Sequence, residues 1–266
     1  MANFRFMLAP LTVTPTATSA DSNWPVTNLN VLTDLAKKWA ATVATGVVDV
    51  TFDFGSGNTF SGLAADPGIF LDDLNVTAIK LQANSSASWS SPPWTQDVTV
   101  ARCGETQRYK GFWRLADLSA VAVAYRYINV RITSQTPTDA ANYRMSRAYL
   151  GSVTEMLHNP EYDFDYRLDQ AVDVTELAHG GSEENLMGPR RIIVVGKRTI
   201  SGAAELTQEH IIQAINPGEP VVLWDASYGG GLSQSAWLVK RVEMPSKSIR
   251  FLDLYDAPFG PYKEII

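Results

Sequence analysis

Few residues of this chain have the types and spacing that acid–base or metal chemistry needs. His158, His179 and His210 stand far apart, with no HxH or HExxH pairing. A catalytic histidine needs a positioned partner, so surface or capping roles are expected, His210 lying in a helix. Cys103 is the only cysteine, which excludes an intrachain disulfide and a cysteine-built zinc site. "HGGS" at 179–182 has the glycines of an oxyanion loop, but no G-x-S-x-G nucleophile elbow accompanies it, and "GGGLSQS" at 229–235 lacks the final glycine. "GSGNTFSG" at 55–62 does not keep the G-x-G-x-x-G spacing and reads as a turn. No catalytic, cofactor-binding or metal-binding residue is assigned, and no enzyme is expected.

Two groups of residues could still bind something. The segment "EYDFDYRLD" alternates, placing Glu161, Asp163, Asp165 and Asp169 on one face and Tyr162, Phe164, Tyr166 and Leu168 on the other. Neighbouring carboxylates on one strand face lie about 6.6–7 Å apart, near enough to share a cation, or to act as a glycosidase pair if a cleft held them. Solvated charges that keep a strand from mispairing explain the same pattern. The second group is aromatic. Trp89 and Trp94 fall in "SASWSSPPWTQD", and Tyr109, Phe112 and Trp113 in "YKGFWRL". Exposed indoles stack on apolar sugar faces or anchor protein interfaces. Trp89, Trp94 and Trp113 are therefore the candidate glycan or interface contacts, against the alternative that they fill a core.

Short strands must position these residues. "FRFML" alternates, and "VVDVTFDF" would turn Val48, Val50, Phe52 and Phe54 inward and Asp49, Thr51 and Asp53 outward. "VTAIKLQA", "QDVTVAR", "YRYINVRIT" and "SRAYLG" continue the series. Such strands separated by Gly and Pro turns predict a mainly β chain with an N-terminal antiparallel sandwich. Leu32, Leu35, Ala36 and Trp39 have helical spacing and predict a turn or two of helix, capped by Thr33 or Asn30. "GSVTEMLHNP" reads as a connector, giving domains 1–152 and 153–266. The second is expected to be a β-barrel-like domain wrapped around one helix near 206–216, with Thr207 as N-cap.

The bulk numbers agree with two units. The chain has 266 residues and a net charge of −6. Residues 1–151 carry 12 Lys+Arg against 11 Asp+Glu, and residues 152–266 carry 10 against 17. Neither half has the basic footprint of a nucleic-acid binder. The N-terminus does not read as a signal peptide, and no apolar window reaches the ~18 residues of a membrane span. A cytoplasmic site of synthesis is expected, which makes the sequons at Asn75 and Asn84 irrelevant.

The order "NWPVTNLN", "KKWAA", "VVDVTFDFGSGN" resembles the discoidin, or coagulation factor 5/8 type C, sandwich in the form found in bacteriophage tail proteins. There an aromatic-Pro pair precedes Asn-Leu, then a Trp, then a strand ending in Asp-hydrophobic-Gly. "YRYINVRIT" and "SRAYLGS" resemble the late strands, so the likeness covers roughly 4–152. "RRIIVVGKRTI", "ELTQEHIIQAI" and "EPVVLWDAS" resemble the C-terminal part of the same phage proteins, a split-barrel domain of distal tail rings. The chain lacks the disulfide and basic loops of discoidin lectins and membrane binders.

The resemblance implies a structural subunit of a long-tailed phage tail tip or baseplate, either the distal tail protein or an adjacent minor tail protein. It would form a homo-oligomeric ring that contacts the tail tube, hub and tape measure proteins. It would be located in the virion after synthesis in the host cytoplasm. The alternative is a carbohydrate-binding module contacting host cell-surface glycan. No cofactor, nucleic acid or membrane insertion is expected. Trp24, Leu29 and Trp39 are expected to clasp the sandwich.

Overall fold

A computed structural model of the chain describes residues 4–102 except 35, residues 108–118, and residues 124–157 except 140. It also describes 165–176, 182–201, 203–213, 218–225, 236–242, 248–251 and 254–265. The protein is mainly β, with large curled antiparallel sheets, and among the described residues one α-helix is longer than a single turn. Two compact units divide it. One is Met1–His158 with Pro220–Leu238; the other is Asn159–Glu219 with Val239–Ile266.

In the first unit the strands are β1 (Phe4–Pro10), β2 (Thr14–Ala17), β3 (Trp39–Ala40), β4 (Val48–Asp53), β5 (Pro67–Asp72), β6 (Ala78–Asn84) and β7 (Trp94–Thr99). They continue with β8 (Ala101–Arg102), β9 (Tyr109–Arg114), β10 (Tyr127–Ile132), β11 (Arg144–Met145) and β12 (Arg147–Glu155). One sheet runs β2-β4-β10-β6-β7. Val48, Val50 and Phe52 alternate along β4 and are buried, as are Leu81 of β6 and Val130 of β10. They pack face to face with Ile69, Leu71, Leu150 and Trp113 of the other sheet, forming a sandwich core. Asp49 and Thr51 do leave the opposite face of β4, yet they too are buried.

The domain division differs from the expected break at 152. Chain from the second half, β15 (Pro220–Asp225), pairs antiparallel with β1, Phe6 opposite Leu223. The second sheet therefore runs β15-β1-β12-β5-β9-β8. Phe112 and Trp224 meet on its other face with ring centroids 4.7 Å apart. The run "EPVVLWDAS" is a strand as expected, but its hydrogen bonds commit it to the sandwich.

The short helix expected over 32–39 does not form. Pro25 instead opens a 3-10 turn at Val26–Asn30, and Trp39 is already in β3, opposite Met145. Asp34 accepts a hydrogen bond from the Ala36 N–H at 2.9 Å, a local turn that competes with helical pairing. The tie-down of this stretch is polar as well as apolar. Asn28 donates to the Lys38 carbonyl at 2.9 Å, and Asn30 to the Val13 carbonyl at 3.0 Å.

The second unit holds β13 (Asp165–Glu176), β14 (Ser182–Ser201), β17 (Ser248–Phe251) and β18 (Leu254–Glu264). It also takes in Val239–Arg241, the end of β16 (Ala236–Arg241). β14 pairs with β13 on one side and, from Ile193 onward, with β18 on the other. One-turn helices α1 (Phe60–Leu63) and α2 (Leu115–Leu118) belong to the first unit, and α3 (Ala203–Gln213) to the second. α3 starts earlier than the expected 206. Thr207 is inside it rather than capping it, its hydroxyl donating to the Ala203 carbonyl at 2.9 Å.

Candidate functional site

The aromatic residues singled out in the sequence are held inside the first unit. Trp94 begins β7, Trp113 lies in β9, and both join the sandwich core, 8% and 7% exposed. Trp89 is 8% exposed, and its indole N–H donates to the Thr51 hydroxyl at 3.0 Å. It thus covers the outward face of β4. Beneath it Asn129 donates to Asp49 at 2.7 Å and to Gln82 at 2.9 Å, and accepts from Thr51. Arg131 closes the network with a two-pronged bond to Asp49 at 2.8 and 2.9 Å. These three tryptophans do not form a displayed ring platform.

The expected clasp divides in two. Leu29 and Trp39 are fully buried, and the Trp39 indole donates to the Ser19 carbonyl at 3.0 Å. Trp24 is 37% exposed, with the Lys38 ammonium 4.8 Å over its ring. Of the sequon asparagines, Asn75 is buried and bonded to Asp139 and the Asn142 carbonyl, and Asn84 is half-buried.

His158, His179, Cys103, Glu161 and Asp163 lie outside the described residues, as do Tyr162 and Phe164. Asp165 and Asp169 are on β13. His210 is exposed on α3. Among the described residues no His, Cys, Asp and Glu group forms a metal-binding cluster. No described helix is long and apolar enough to cross a membrane.

The densest polar cluster of the first unit lies at the end of β5. The apolar strand β5 ends at Asp72, whose side chain is fully buried. Arg147, also fully buried, holds one Asp72 carboxylate oxygen through Nε and Nη2, and gives its Nη1 to the Leu32 carbonyl. Arg108 Nε sits 3.3 Å from the other oxygen. Buried Lys110 lies on the neighbouring strand opposite Asp72, its ammonium 5.1 Å over the Trp237 ring. Burial alone would raise the Asp72 carboxyl. The charges of Arg108, Arg147 and Lys110 outweigh it and bring it down to about 2.

Asp73, the next residue, behaves oppositely: burial and the charge of Asp72 push its carboxyl up. Its backbone is left-handed, with φ 53°. It accepts from the Ser146 hydroxyl at 2.8 Å and lies 3.7 Å from Arg144 Nε. Arg144 also pairs with Asp139. Burial would raise the Asp139 carboxyl, but Asn75 and Arg144 hold it below its ordinary value. Only the doubled Asp after "GIFL" hinted at this cluster; its cations come from distant strands.

The second unit's notable feature is a two-stranded ribbon. Leu168–Glu176 of β13 pairs with Ser182–Ile192 of β14, through an irregularity after Asp169. Neither strand has a second partner there among the described residues, because β18 joins β14 only from Ile193 onward and β13 ends the sheet. Eleven extended residues span about 36 Å.

No protein-family model matches this chain, and no curated protein matches it significantly. Among solved structures, a chain from reduced XRCC1 bound to the DNA polymerase β catalytic domain is similar at 13% identity. That likeness covers 55% of this chain and 98% of that one, with a TM-score of 0.39. A mutant of chitosan-binding module 1 from the chitosanase/glucanase of Paenibacillus sp. IK-5 is similar at 15% identity. It covers 57% of this chain and 99% of that one, with a TM-score of 0.36. Another structure of that module covers 54% and 97%, at 15% identity and a TM-score of 0.34. Similarity at this level says nothing of ligand or partner.

Proposed function

We propose that this chain is a structural subunit of a long-tailed bacteriophage tail tip or baseplate, assembling with copies of itself into a ring around the tail axis. The observation that best supports an assembly role is the β13–β14 ribbon. An isolated two-stranded ribbon is marginal in water, and its open edges are a template for another chain. A second copy presents the same surfaces, and a head-to-tail contact that closes on itself makes a ring. The phage assignment rests on the order of sequence motifs. Tail tube, hub and tape measure proteins are the neighbours it implies, and the virion is the location, after synthesis in the host cytoplasm.

The mechanism is packing, with no catalytic step. Contact with host glycan through Trp89, Trp94 and Trp113 is the weaker reading, because all three rings are buried. Electron microscopy of the purified full chain tests the proposal. Closed rings of uniform size are expected; monodisperse single subunits at every concentration would overturn it.

A further inference from the structure

A cleft of about 210 Å³ opens in the first unit where the chain leaves β5 and enters β9, beside Thr138, Asp139 and Arg144. Arg102, Arg108 and Arg144 line it together with Asp73, Asp139 and the hydroxyl-bearing Thr138 and Tyr109. Three arginines and two aspartates thus share its lining. Behind them Lys110 and Arg147 stand against Asp72. Among the described residues the walls and the layer beneath carry five cations and three carboxylates.

That arrangement is expensive as architecture. Burying ion pairs is often less stabilising than packing apolar side chains of the same volume. Asp73 adds a left-handed backbone, a strain of the kind that collects at binding sites. Asp73 and Asp139 flank Arg144 and fix where its guanidinium points. A fixed, planar fork of donors matches carboxylate, phosphate and sulfate oxygens two at a time.

We propose that this cleft binds an oxyanion, a carboxylate, phosphate or sulfate group, between Arg102, Arg108 and Arg144, with Thr138 and Tyr109 donating hydroxyl bonds. The group is carried either by a free small anion or by an acidic sugar. The site is independent of the ribbon and of the ring reading.

The test is an NMR titration of the full chain at pH 7 and constant ionic strength, using inorganic phosphate and glucuronate as separate probes. Arg102 is solvent-exposed on the two-residue strand β8, and Arg102→Ala is the deciding variant once its amide spectrum away from the cleft matches that of wild type. Loss of one charge at the cleft is expected to weaken binding roughly fivefold. Asp73→Asn removes an opposing charge and is expected to tighten it by a similar factor. Tighter binding of glucuronate marks an acidic sugar as the source, and tighter binding of phosphate marks a free phosphate. The proposal is overturned if neither probe shifts amides in 72–75 or 138–144 up to roughly 50 mM, or if the affinity of the probe that binds is unchanged or increased by Arg102→Ala.

Discussion

Two adjacent aspartates should respond to the same substitution with opposite signs. Asp72 is fully buried against Arg147 and within 3.3 Å of Arg108, with Lys110 on the facing strand. Asp72→Asn keeps the shape but leaves these cations without their shared counter-charge. Breaking a buried pair by neutralising one partner costs about 3–5 kcal/mol. An independent lower figure comes from the lowered carboxyl. A fall from 3.8 to about 2 corresponds to about 2 kcal/mol of stability at neutral pH. Asp73 is instead pushed up, so its charge opposes folding at pH 7. Asp73→Asn can still accept from Ser146, and asparagine tolerates the left-handed backbone better than most residues. Its expected effect is between zero and about 1 kcal/mol of stabilisation. Urea unfolding at pH 7, followed by tryptophan fluorescence, measures both. Equal losses for the two variants, or a loss below about 1 kcal/mol for Asp72→Asn, would refute the charge assignment and mean that water screens the cluster.

The pH dependence carries its own sign. Because the folded Asp72 carboxyl is depressed, its contribution is present above the unfolded value of 3.8 and disappears as pH falls through about 2. Acid unfolding of Asp72→Asn should accordingly be shallower than that of wild type in that window. Trp39→Ala empties a fully buried site and removes the indole bond to Ser19, so a loss of about 3–5 kcal/mol is expected by chemical denaturation. Gly111→Ala would drive a Cβ into the Trp113 ring, and should lower the melting temperature measured by calorimetry. Asn129→Leu strands the buried polar groups of Asp49, Gln82 and Thr51, costing about 2–3 kcal/mol in the same denaturant assay.

The first unit was legible where local patterning decides structure. Val48, Val50, Phe52 and Phe54 alternate into the core because a strand has a period of two. The same pattern sent Asp49 and Thr51 outward, but could not show that Trp89 folds over them. Helical spacing at Leu32–Trp39 misled because a short local turn at Asp34 and the pairing of Trp39 with Met145 outweigh a weak propensity. Thr207 resembled a cap because threonine serves there often, whereas its hydroxyl bonds backward within the helix. The return of Pro220–Asp225 to β1 joins residues more than 200 apart, a pairing that no local pattern encodes. The Asp72 cluster was hidden for the same reason. Its carboxylate is on β5, and its cations are on or just before β9 and on β12.

Among the described residues the β13–β14 ribbon is paired on one side of each strand only, and self-association of the chain is proposed to run through it. Its most direct test is native mass spectrometry of the wild-type chain beside a variant in which residues 171–187 are replaced by a short Asn-Gly turn. A closed oligomer is expected for wild type and a folded monomer for the shortened chain. A wild-type monomer, or an oligomer indifferent to the shortening, would contradict that proposal.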